Sequence, residues 1–150
     1  FLDSLMDQRA REESYRFRML IEPQTMLQPG FSLSSEWISQ TRQRHLAFIE
    51  NEWHPGLSVA FFETNAAFHF GLAAASGNRY IADAINRQNH LRRLLNYDWR
   101  HGHEQVLRAS KDHIEILDRL EAAENQIASA LMFNHLNKTI DLRPPFADGA

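Results

Sequence analysis

The chain has 150 residues, 43% of them hydrophobic, no cysteine, and a formal charge of -3 from 16 basic and 19 acidic side chains. That is enough apolar material for one domain around one core. It excludes disulfides, thiolate metal sites and thiol catalysis, a basic block able to grip phosphates, and, with no apolar run near the roughly 20 residues of a bilayer span, a membrane helix. The N-terminal FLDSLMDQRA is too acidic and broken for a signal peptide, so the expectation is a soluble, cytoplasmic protein.

Residues 4–27 form the first helix-length piece, with Tyr15, Met19 and Met26 on one stripe and Pro23 expected to kink it by removing a backbone donor. Glycine and proline then fall at QPG (28–30), HPG (54–56), SGN (76–78), HGH (101–103) and in the RPPF tail, dividing the rest into further helix-length pieces. Ser34 or Ser35 can cap the second helix, whose Ile38, Leu46, Ile49 and Trp53 give a weaker stripe.

From about 57 to 75, Phe61, Phe68 and Leu72 recur at helical spacing, and Asn65 and His69 sit one turn apart among them, so two polar groups point inward. Gly77 stands where a left-handed C-terminal residue is expected. Ile81, Ile85, Gln88, Arg92 and Leu95 then make an interior stripe that carries polar residues halfway along. Helices over roughly 104–122 and 125–140 complete the set. With no β-branched alternation, no internal repeat and short turns, the expected fold is an all-α antiparallel bundle of about six helices, one domain over 1–150.

His113, in KDHIEILDRL, is in register with Ile116, Leu117 and Leu120; His135, in SALMFNHLNKTI, is in register with Ala128, Leu131 and Met132. The turn between their helices should fall near EAAEN, 121–125, and the midpoint of 113 and 135 is 124. In an antiparallel hairpin each histidine then lies about 11 residues, or roughly 16 Å, from the turn, and the two meet at one height. A single histidine on an apolar face is more often a hydrogen-bonded core residue. Three inward imidazoles are different, because each one buried without a partner costs a few kcal/mol and a divalent metal would satisfy all three. Histidine nitrogens with an oxygen donor suit zinc or nickel, and also manganese, iron or cobalt. His45 and His90 can face solvent or another helix, His54 lies in a turn, and His101 with His103 reads as a solvated loop pair kept as a minor alternative.

The runs RMLIEP (18–23), NAAFHFGLAAASGN (65–78), KDHIEIL (111–117) and FNHL (133–136) resemble, in order and spacing, the C-terminal effector domain (FCD) of FadR-type regulators in the GntR transcription-factor family, over about residues 10–140. The resemblance implies a central ligand and metal cavity. By position it gives Asn65, His69, His113 and His135 as metal ligands, with Asn65 departing from the usual aspartate. It also implies a homodimer, a small organic acid or sugar-acid effector (acyl-CoA in the fatty-acid branch), and operator DNA bound by an N-terminal winged-helix domain. Nothing in this chain reads as that domain. Neutral ligands leave a divalent ion its full charge in a low-dielectric bundle, which calls for an anion such as a carboxylate. Arg18 and Arg92, inward on their stripes, are the candidates to bind it. The simpler readings are an i,i+4 salt bridge of Arg18 to Glu22 and a surface position for Arg92.

Two other functions stay open on sequence. A metallohydrolase needs a general base, and Glu63 and Glu115 stand on other helix faces than Asn65 and His113. A metal-free bundle for dimerisation or acyl binding would instead keep its histidines hydrogen-bonded in the core.

Overall fold

A computed structural model describes residues 2–95 and 102–141. His101 and the RPPF tail lie outside the described residues, as does the side chain of Leu95. Among the described residues there are six α-helices and no strand: α1 Leu2–Thr25, α2 Ser35–Glu50, α3 Ser58–Ala75, α4 Arg79–Leu95, α5 His103–Glu121 and α6 Asn125–Asp141, with a 3-10 turn at Pro55–Leu57 before α3. None of the helices is long and apolar enough to cross a membrane.

Local chemistry sets the ends of these elements. The Ser34 hydroxyl accepts the Trp37 amide at 3.1 Å and starts α2. Gly77, at φ 73°, turns the chain after α3, and the Asn78 side-chain oxygen accepts the Tyr80 and Ile81 amides at 2.9 and 3.3 Å to open α4. α5 ends in a Schellman turn: Ala123 takes φ 59°, its amide bonds Leu120 O at 3.1 Å, and the Glu124 amide bonds Arg119 O at 2.8 Å. An alanine in that left-handed region costs about 1–2 kcal/mol, which the two backbone bonds offset.

Pro23 falls in the last turn of α1, which stops two residues later. The carbonyls left open there are taken by α6: Ser129 Oγ donates to Pro23 O at 2.6 Å and Asn125 Nδ2 to Met26 O at 3.1 Å. These contacts run α6 antiparallel to α1.

Successive pairings close a ring. α1 packs on α6, α6 on α5, α5 on α2, α2 on α3, and α3 again on α1, while α4 lies outside against α3 and α1. The core of this ring contains Phe68, Leu72, Ile116, Leu117, Met132 and Leu136. At the α2–α3 crossing the helices come close because residue 71 is glycine; a Cβ there would stand 2.2 Å from the Trp37 ring.

One stripe differs from the sequence expectation. The buried face of α2 is Ile38, Thr41 and His45, with Leu46 and Ile49 only half-buried and Trp53 beyond the helix. Counting apolar residues alone pulled the stripe toward the shoulder, because two of the three inward positions are polar.

Candidate metal centre

All five ring helices contribute a buried polar side chain to one connected cluster: Glu22 from α1, His45 from α2, His69 from α3, His113 from α5 and His135 from α6. One ring nitrogen from each of His69, His113 and His135 lies within 4.8 Å of the other two. The expected meeting of His113 and His135 across the hairpin is present, their Nε2 atoms 3.0 Å apart.

Hydrogen bonding fixes which nitrogens are available. His69 Nδ1 lies 2.6 Å from Glu22 Oε1, and His135 Nδ1 lies 2.8 Å from Asp112 Oδ2. An ionised carboxylate only accepts, so both Nδ1 atoms carry a proton and each neutral ring keeps its lone pair on Nε2.

For His113 the chain of inference is one residue longer. His45 Nδ1 lies 2.7 Å from the Thr41 carbonyl, which also only accepts, so His45 holds its proton on Nδ1 and offers a lone pair at Nε2. That Nε2 is 2.8 Å from His113 Nδ1, which therefore donates. His113 too is left with its lone pair on Nε2. Phe68 stacks on the His113 ring at 3.9 Å between centroids and 13° between planes, holding its orientation.

Three imidazoles thus turn lone pairs toward a shared centre, each with its other nitrogen tied to an acceptor. This is the outer arrangement that orients histidines toward a metal ion, and the donor set fits a divalent ion of the zinc or nickel kind. Burial also favours the neutral form of His69, His113 and His45. It pushes His69 down to about 3 against the opposing pull of Glu22, lowers His113 well below its ordinary value with help from the neighbouring histidines and Arg18, and lowers His45. Burial would raise Glu22, but Arg18 and then His69 overcome it and hold the carboxyl far below its usual range.

Both carboxylates are also balanced by cations. Glu22 Oε2 accepts from Arg18 Nε in a pair whose side chains are 1% and 2% exposed, which is the salt bridge that the sequence allowed as the simpler reading of Arg18. Asp112 Oδ1 accepts from Lys138 Nζ at 3.1 Å.

Arg92 is different. It is buried, not on the surface, and its guanidinium carbon stands 5.7 Å from the Phe62 ring centroid. Its Nε and Nη1 have no hydrogen-bond partner among the described residues, and neither does Asn89 Oδ1 one turn earlier on α4. Asn65 is buried on the face of α3 that bears His69. His54, His90 and His103 are exposed.

Sequence reasoning brought out the three histidines but missed three of their supports. Spacing alone leaves His45 open between solvent and another helix, offers Glu22 only as a partner for Arg18, and does not single out Asp112. Asn89 was missed as well. The one available signal was polar residues at inward helical positions, as at His45.

A closed ring of helices with three converging histidine nitrogens at its centre defines an all-α bundle that could hold a cation inside. The FCD domain family matches residues 13–138, and the chain belongs to this family, the C-terminal effector-binding domain of FadR-type regulators in the GntR group. No curated protein matches the chain.

Proposed function

We propose that this domain is a metal-dependent sensor for a small carboxylate, acting in the cytoplasm as the regulatory half of a homodimeric transcription regulator whose DNA-binding domain is not part of this chain. The observation that carries the reading is the convergence of one ring nitrogen from each of His69, His113 and His135 to within 4.8 Å of one another. His69, His113 and His135 hold the ion, with the Asn65 amide oxygen as the fourth protein donor. When bound, the ion supplies positive charge that polarises and anchors an acid.

Charge supports an anionic effector. Arg18 with Glu22 and Asp112 with Lys138 cancel in pairs, while Nε and Nη1 of the buried Arg92 have no hydrogen-bond partner among the described residues. Among the described residues the buried Arg92 charge is therefore not balanced, and a buried charge of this kind needs a counterion. Arg92 offers two donors to a carboxylate, and Asn89 Oδ1 offers an acceptor to a hydroxyl, which together suit a hydroxylated organic acid or sugar acid. Arg18, committed to Glu22, acts by holding that carboxylate in place and by adding positive potential.

Sensing fits better than catalysis. Glu22 and Asp112, the carboxylates bonded to the cluster, are each engaged by an imidazole and a cation, so neither is free as a general base. Binding of the acid would change DNA affinity of the whole regulator only through unequal affinity for two arrangements of the dimer.

Elemental analysis of protein purified without a histidine tag tests the metal, and calorimetric titration with hydroxy acids, before and after chelation, tests the effector. Less than about one-third of an equivalent of metal per chain, or acid binding indifferent to chelator, would overturn the proposal.

A further inference from the structure

His45 holds no ion in the metal reading, yet it is a fully buried histidine in contact with a ligand ring. It is too far back to be a ligand in the same set, since its Nε2 faces His113 Nδ1, not the shared centre. Of the three supports, it is also the only uncharged one: His69 and His135 lean on the carboxylates of Glu22 and Asp112, whereas His113 leans on an imidazole.

An imidazole can present either a donor or an acceptor, so by itself it would not fix the proton on His113. The Thr41 carbonyl removes that freedom. Because it holds the His45 proton on Nδ1, the Nε2 of His45 can only accept, and His113 must donate from Nδ1.

We infer that His45 is a positioning residue for the metal centre: through the relay from Thr41 O to His45 to His113 it selects the His113 tautomer whose Nε2 faces the ion, and so ties α2 to metal occupancy. This rests on the metal reading above. Thr41 and His45 are one turn apart on α2, so the relay is built into the helix itself. Without His45, His113 would keep its place by stacking on Phe68 but lose the acceptor that decides which nitrogen is bare.

Two variants separate this role from simple packing. His45→Phe fills the space and removes the acceptor. His45→Gln keeps one, because a glutamine amide oxygen reaches about as far from the backbone as a histidine Nε2. In a competition titration with Zn(II) against a chelating dye, His45→Phe is expected to bind about 10- to 100-fold more weakly than the parent, and His45→Gln to recover most of the loss. Equal weakening in both variants, or parent-like affinity in a folded His45→Phe, would overturn the inference.

A measurement on the unaltered protein needs no variant to fold. Long-range proton–nitrogen NMR of the zinc-loaded domain is expected to show His113 protonated on Nδ1 and ligating through Nε2, and ligation through Nδ1 would refute the relay. A parent that binds no Zn(II) in the same titration would remove the metal reading and this inference together. A parent that binds, beside a folded His45→Phe that binds equally well, would remove the inference alone.

Discussion

The Nε2 atoms of His113 and His135 face each other 3.0 Å apart, although each ring already donates from Nδ1, one to His45 and the other to Asp112. Two neutral rings so tied would oppose lone pair to lone pair. A shared cation, either an extra proton or a metal ion, resolves the conflict, and His69 brings a third nitrogen to the same place.

Removal of one of these rings should therefore abolish metal binding without unfolding the bundle. For His113→Ala and His135→Ala we expect at least about a 100-fold loss of metal affinity, more than loss of an outer partner costs. Effector response should disappear as well, with far-ultraviolet dichroism still helical. Elemental analysis showing unchanged metal stoichiometry in both variants would exclude these residues from the site.

The Arg18–Glu22 pair should behave as a buried unit. Glu22→Gln keeps an acceptor for His69 Nδ1 but strands the Arg18 guanidinium in the core, and breaking such a pair costs about 3–5 kcal/mol. The double variant Arg18→Met/Glu22→Gln should recover a large part of that loss. Urea denaturation of the parent, Glu22→Gln, Arg18→Met and the double variant gives the coupling directly, and additive effects would mean that the two side chains do not act as a pair.

Arg92 should show the reverse balance of stability against binding. Its guanidinium has two nitrogens without a partner among the described residues, and burial lowers its basicity, so Arg92→Gln is expected to leave the metal-free protein as stable as the parent or more so. Loss of a charge-assisted contact of about 1.5–3 kcal/mol should weaken carboxylate binding by about 10- to 100-fold. A thermal melt and a calorimetric titration read the two effects separately; a strongly destabilised variant with intact acid binding would contradict the assignment.

Acid should destabilise the metal-free domain from near neutrality downward. The folded state holds His45, His69 and His113 below their ordinary value of 6.5, His69 down to about 3. The unfolded chain therefore takes up protons, as pH falls through 6.5, that the folded chain refuses. Stability is full above that pH and declines below it, at up to about 1.4 kcal/mol per pH unit for each refusing ring. Urea midpoints with chelator present, measured between pH 7.5 and 5, should fall steadily; a flat profile would show that these rings accept protons in the folded state.

By itself the sequence determined the helices, the turns and the height of the paired histidines. Ser34, Gly77 and the 121–125 turn act within a few residues, and hydrophobic spacing reports which face of a helix is inward, which was enough to level His113 with His135. Periodicity does not report which partner an inward group will meet. Glu22 and His69 are 47 residues apart, His45 and His113 are 68 apart, and Asp112 binds His135, 23 residues on, although it adjoins His113 in the chain. Only closure of the five-helix ring brought those acceptors to the back of each imidazole. Tertiary structure thus decided which nitrogen of every ring is bare, because hydrogen-bond direction depends on neighbours in space, where sequence spacing carries no information.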